Sequence, residues 1–144
     1  MKVGLAALFL AMMGSQTSGG MARPEICGQL LLLAKGSAQD DAPLLPYVGP
    51  AKCATARDLS GQTSHHCHWS FAFRADAAHT YFDTLSAALA FCSETPVQVA
   101  GARVNHPDSF DQITGEIAEQ SVSLSLKDKG ALQQTLVFLR VVTP

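Results

Sequence analysis

The sequence predicts an α+β domain, a two-layer sandwich in which an antiparallel sheet of about five strands carries two helices on one face. Three observations predict this class. One segment alternates strictly between apolar and polar residues, two segments repeat apolar residues at helical spacing, and no long continuous apolar strands of the parallel βαβ kind occur. With 144 residues, 47% of them apolar and 15% charged, the chain suits a single domain with one core. The predicted element order is α-β-β-α-β-β-β.

Residues 1–22 have the pattern of a secretory signal peptide. Lys2 precedes an apolar run from Val3 to Met13, and small residues then lead to a predicted cleavage site after Ala22. This run is too short to cross a membrane, which takes roughly 20 helical residues. We therefore expect a secreted or periplasmic protein whose domain comprises residues 23–144, with no membrane span once the leader is removed.

The first helix is predicted from Pro24 to Gly36, because proline suits a first helical turn and glycine a helix end. Its apolar residues at helical spacing predict the buried face, which comprises Ile26, Cys27, Leu30, Leu33 and Ala34. The run from Leu30 to Leu33 is continuously apolar. Either Leu31 or Leu32 should therefore lie outside the buried face, where it hints at an interaction surface.

A hairpin is predicted next, with its turn at Ser60 and Gly61. The strand that follows the turn alternates, and its predicted core face comprises Cys67, Trp69, Phe71 and Phe73. The opposite face comprises His66, His68, Ser70 and Arg74. Because the aromatic residues share a face with a cysteine expected to be bridged, they are interpreted as core and not as a ligand platform.

The second helix is predicted from Asp76, taken as its N-cap, to Cys92. Its predicted buried face comprises Ala78, Phe82, Leu85, Leu89 and Cys92. Three strands are predicted after it, over 110–117, 121–126 and 132–142. The turn near Gly130 admits two lengths, which would bury opposite faces of the last strand.

The four cysteines are predicted to form two disulfides. An even cysteine count in a small exported domain is typical of a disulfide framework, and no CxxC spacing indicates a redox or zinc motif. Cys53 and Cys67 flank the hairpin turn, whereas Cys27 and Cys92 lie on the buried faces of the two helices. We therefore predict the pairs Cys53–Cys67 and Cys27–Cys92.

The histidines offer one candidate metal site. His66 and His68 project from the same strand face, about 6.5 to 7 Å apart along the chain, so they could share a Zn²⁺ or Cu²⁺ ion if His79 or His106 supplied a third ligand. The alternative is that they are ordinary polar residues on an exposed strand face. No HExxH motif or acidic ligand cluster strengthens the metal hypothesis.

The first functional hypothesis is an exported, non-catalytic binding protein for a protein or small ligand, with no cofactor. A metal-binding protein is the second, and a small secreted hydrolase the third. The hydrolase hypothesis depends on His106, Asp108 and Ser109. Asp108 and Ser109 are interpreted as turn residues, because neighbouring residues in a turn rarely reach the hydrogen-bonded order that nucleophile activation requires and no GxSxG elbow occurs. Nucleic acid is not an expected partner, since the formal net charge is −2 and no basic run occurs.

Overall fold

Two helices lie on one face of an antiparallel sheet in the structure, a computed structural model that describes residues 22–36, 44–102 and 110–144. The elements are α1 (Ala22–Ala34), β1 (Lys52–Arg57), β2 (Thr63–Ala72), α2 (Asp76–Cys92), β3 (Gln98–Ala102), β4 (Phe110–Ile117), β5 (Gln120–Lys129) and β6 (Gln134–Thr143). The predicted α+β class is confirmed, and the sheet of the described chain has six strands where about five were predicted. Apart from Ala22, the predicted leader lies outside the described residues.

The strand order is β1-β2-β6-β5-β4-β3. The C-terminal strand β6 is therefore central, and it pairs with β2 on one side and with β5 on the other. The strand that sequence patterns missed is β3, an edge strand that pairs with β4. Neither described helix has the length and hydrophobicity that a bilayer crossing requires.

The core lies between the helices and the strand residues that point toward them. On the helices it is built mainly by Leu30, Ala34, Ala78, Tyr81, Leu85, Ala88, Leu89 and Cys92. On the sheet it is built by Cys67, Trp69, Ile113, Ile117, Val122, Leu124, Leu126, Val137, Leu139 and Val141. Alternation along each strand puts these side chains on one face and their neighbours on the other. On α1, Leu32 is the exposed leucine and Leu31 is partly buried.

Two details of α2 differ from the prediction. Asp76 is the first helical residue, and the N-cap position is taken by Ala75, which makes no side-chain cap. The buried face includes Tyr81 and Ala88, whereas Phe82 is only partly buried. The reason is tertiary, because the Tyr81 ring meets the Trp69 ring of β2 edge to face at 5.2 Å. Burial at this contact also raises the pKa of the Tyr81 phenol.

Both disulfides join the predicted partners. Cys27–Cys92 connects α1 to α2, with a Cα–Cα distance of 5.5 Å. Cys53–Cys67 joins directly opposed residues of β1 and β2. The Sγ atom of Cys67 also lies 3.3 Å from the carbonyl oxygen of Ala34, a packing contact and not a hydrogen bond, because a disulfide sulfur carries no proton.

The connection from β5 to β6 determines which face of the last strand is buried, a point that the sequence leaves open. Lys129 pairs with Gln134, and the four residues between them include a 3₁₀ turn followed by Gln133 in the left-handed conformation. This length directs Thr135 and every second residue after it toward the helices.

Gly36, two residues after the end of α1, lies close to the Cys53–Cys67 disulfide. Gly36 has a φ of +76°, and a Cβ added there would lie 3.1 Å from Sγ and 3.3 Å from Cβ of Cys53. We expect Gly36→Ala to lower the free energy of unfolding by about 2 kcal/mol, since left-handed backbone costs a non-glycine residue roughly 1 to 2 kcal/mol and the contact adds to it. Urea denaturation of the oxidised protein measures this loss.

Gly61 supplies the matched control. Its φ is +90°, and nothing lies within 4 Å of an added Cβ. Gly61→Ala therefore carries the backbone cost without the contact, and it should lose less stability than Gly36→Ala. Equal losses for the two variants would mean that the disulfide contact contributes nothing.

Candidate functional site

The sheet face turned away from the helices carries a cleft of about 380 Å³. We call this face the open face, because neither described helix packs against it. The residues lining the cleft come from five of the strands and are Ala56, Ser64, His66, Gln112, Ser123, Ser125, Lys127, Phe138 and Arg140. A cleft of this size is within the range of small-molecule sites.

Strand pairing explains how residues distant in the sequence meet here. Arg140 of the central strand β6 is opposite His66 of β2 and opposite Ser123 of β5. Two residues earlier on β6, Phe138 is opposite His68 and Ser125 in the same way. Side chains at paired positions point to the same face, so one register aligns all of them on the open face.

Two serines form the most enclosed part of the cleft. Among the described strand residues that point away from the helices, only Ser64 and Ser125 are buried. The Gln112 amide donates a hydrogen bond to Ser125 Oγ at 3.3 Å. The cleft therefore has hydroxyl groups at depth and longer polar side chains around them.

At one end of the cleft, the Phe138 ring contacts the side chains of Lys127 and His68. The Lys127 ammonium lies 4.7 Å from the centroid of its ring, a distance typical of a cation–π contact. The His68 ring lies 5.1 Å from the same ring, centroid to centroid, at a tilt of 34°. Lys127 is therefore held over an aromatic surface and not left fully mobile in solvent.

The charges in the cleft have one sign. Lys127 and Arg140 are cations, and no carboxylate is among the lining residues that the structure describes. Within the part of the chain that the structure describes, neither Lys127 nor Arg140 forms an ion pair. The cleft is thus an electropositive region on a protein whose formal net charge is −2.

The structure places two of the predicted metal ligands, His66 and His68, on one sheet face and a third, His79, on the other side of the sheet. His66 lines the cleft, and His68 lies beside Phe138 on the same face. His79 is exposed on α2, which packs on the other face of the sheet, so it does not join them. His106 lies outside the described residues. Within the described ranges, no three histidine, cysteine, aspartate or glutamate side chains are grouped to hold a metal ion.

The environment of His68 favours a neutral imidazole. Desolvation on the partly covered sheet lowers its pKa below the ordinary value, and the nearby Lys52 and His66 lower it further. A neutral imidazole at physiological pH can accept hydrogen bonds or bind a metal ion, but it adds no charge to the open face.

The chain 103–109, with the triad-like residues of the hydrolase hypothesis, lies outside the described residues. In the cleft itself, His66 lies near serine hydroxyls on the same face. Among the described residues it makes no hydrogen bond to Ser64 or to Ser123, the contact that would activate a serine nucleophile.

Most of the cleft was not predicted from the sequence. Of its residues, sequence analysis selected only His66. The alternating serines of β5 were visible as a strand pattern, but that pattern indicates only that one face of β5 is polar, and β6 shows no such alternation. That the serine face of β5 lies near Arg140 and His66 follows from β6 lying between β2 and β5.

Comparisons with known proteins add little. No protein-family model matches this chain, and no curated protein matches it. Among solved structures, CalU16 from Micromonospora echinospora is similar at 12% sequence identity and a TM-score of 0.30, over 67% of this chain and 70% of that one. A likeness of this extent indicates neither a shared fold nor a shared function.

Proposed function

We propose that the protein is an exported, non-catalytic binding protein that holds a small ligand in the open-face cleft. The observation that carries this proposal is the cleft itself, in which polar side chains from four strands, β2, β4, β5 and β6, line one concave region. Sites of this kind combine a shaped concavity with a few convergent polar groups. Two disulfides and the secretory pattern of residues 1–22 support an oxidising compartment outside the cytosol.

The absence of activated chemistry supports binding over catalysis. Counted over the described residues, the cleft lining includes one imidazole and three hydroxyls but no carboxylate or thiol. Nucleophilic catalysis needs a base bonded to the nucleophile and a third group that orients the base. Binding requires only that polar groups line one cavity where they can contact a ligand, and the cleft has such groups.

The test uses a variant that fills the cleft. Ser123 points into it from the centre of β5, so Ser123→Trp should occlude it. Ser121 lies on the same strand and the same face but outside the cleft, which makes Ser121→Trp a matched control. A thermal-shift screen of neutral sugars, amino acids, organic acids and amines should find a saturable ligand for the wild type and for Ser121→Trp, with binding lost in Ser123→Trp.

Two results would contradict the proposal. One is that no compound of any class stabilises the wild type saturably, and the other is that Ser123→Trp binds its ligand as well as Ser121→Trp does. Titration with Zn²⁺ or Cu²⁺ addresses the metal-binding alternative. Saturable metal binding that His66→Ala and His68→Ala abolish would replace a small-ligand site with a metal site.

A further inference from the structure

Charge is the first feature of the cleft that bears on its ligand. Two permanent cations, Lys127 and Arg140, line a cleft that has no carboxylate among its described lining residues, on a chain with an overall negative charge. An anion placed between two cations is attracted by both of them. The cleft therefore favours a negatively charged ligand over a neutral or positive one.

The geometry of the two cations is the second feature. Lys127 is opposite Leu136, four positions before Arg140 on β6, so the two cationic residues start about 13 Å apart along the sheet. The ring of Phe138 holds the Lys127 ammonium at one end. At the other end Arg140, exposed and without an ion pair among the described residues, presents a planar fork suited to a carboxylate or phosphate.

The neutral groups between the cations are the third feature. Three serine hydroxyls and the Gln112 amide line the cleft, whereas Ala56 and Phe138 are the apolar residues in the described part of its lining. Hydroxyls and amides donate and accept hydrogen bonds equally well, which matches a ligand rich in hydroxyl groups. A strongly apolar ligand would leave these groups unpaired.

We propose that the cleft binds a small polyhydroxylated oxyanion of the size of one sugar ring, a sugar acid or a sugar phosphate. Arg140 holds the oxyanion, the serines and Gln112 bond the ligand hydroxyls, and Lys127 completes the positive field. This inference rests on the proposed function, because it names the ligand class of the same site.

The experiment compares three probes that share one ring and differ in charge. Isothermal titration calorimetry of the oxidised protein compares glucuronate, which carries a carboxylate, with glucose 1-phosphate, which carries a phosphate, and with glucose, which carries no charge. We expect at least one anionic probe to bind saturably at low ionic strength, and neutral glucose to bind at least about tenfold more weakly. Added sodium chloride should weaken binding of the anion, because the site is open to solvent.

Charge-removing variants connect that binding to the named residues. Arg140→Gln should raise the Kd for the anion about tenfold or more, and Lys127→Gln should raise it by a smaller factor. Arg57→Gln and Lys35→Gln are matched controls that make the same charge changes. Arg57 is an exposed β1 residue that alternation turns toward the helix side, and Lys35 follows α1. Both controls should bind as the wild type does.

Each contrary outcome has a definite meaning. If neither anion binds at millimolar concentration, or if Arg140→Gln binds as tightly as Arg57→Gln, the inference is wrong. If glucose binds as well as glucuronate and Ser123→Trp abolishes that binding, the ligand class is wrong while the proposed function stands. If a probe binds but Ser123→Trp leaves its affinity unchanged, both are wrong.

Discussion

Replacing Cys27 and Cys92 together with alanine is expected to lower the free energy of unfolding by about 4 kcal/mol. The two cysteines are 65 residues apart, so their disulfide closes most of the folded chain into one loop and removes that loop's entropy from the unfolded state. A domain of this size is stable by only about 5 to 15 kcal/mol in total. Urea denaturation of the oxidised wild type and of the double variant measures the loss.

The second disulfide provides the internal comparison. Cys53 and Cys67 are only 14 residues apart, and the same relation gives about 3 kcal/mol for their removal. The Cys27–Cys92 variant should therefore be the less stable of the two double-alanine proteins. If the Cys53–Cys67 variant were the less stable one, the contacts between that disulfide and α1 would contribute more to stability than the difference in loop length does.

Removal of the Cys27–Cys92 disulfide should destabilise α1 before it destabilises α2. Among the side chains that the structure describes, α1 contributes two buried ones to the core, Leu30 and Ala34, whereas α2 contributes six. Hydrogen exchange of the double variant should show reduced protection in α1 before α2 changes. The disulfide thus anchors a helix that has fewer buried side chains than α2 among the described residues.

Local patterns explain why much of this fold could be predicted. From His66 to Phe71, polar and apolar residues alternate along β2, so Cys67 and Trp69 could be assigned to one face without knowledge of any partner strand. The turn residues Ser60 and Gly61 then fixed a hairpin, and the hairpin fixed Cys53 as the partner of Cys67. Each step used information within about twenty residues.

The features that were missed depend on distant parts of the chain. Strand β3 has the sequence Gln-Val-Ala-Gly-Ala, with one β-branched residue and a glycine, so its propensity for strand is low. It forms because β4 supplies its hydrogen-bonding partner. The cleft likewise depends on β6 entering between β2 and β5, an arrangement that no local pattern specifies.

Asp128→Ala should lower the free energy of unfolding by about 3 kcal/mol. Asp128 is a buried carboxylate near the end of β5, and its Oδ1 accepts a hydrogen bond from the Thr135 hydroxyl at 2.6 Å. Its Oδ2 lies 3.2 Å from Arg74 Nε, and the Arg74 backbone N–H donates to Thr135 at 2.7 Å. The carboxylate therefore joins the β5–β6 hairpin to the turn between β2 and α2, where Arg74 has a φ of 55°.

Burial is what makes this carboxylate costly to remove, and Asp58 tests that reason. Asp58 also accepts two hydrogen bonds, from Ser60 Oγ at 2.6 Å and from the Gln62 N–H at 2.9 Å, which lower the pKa of its carboxyl. It is exposed in the β1–β2 turn, so water replaces those bonds in Asp58→Ala, which should destabilise the protein far less than Asp128→Ala. In Asp128→Ala the buried Thr135 hydroxyl has no such replacement. Equal losses from the two variants in urea denaturation would show that the Asp128 network stabilises the fold no more than a surface turn does.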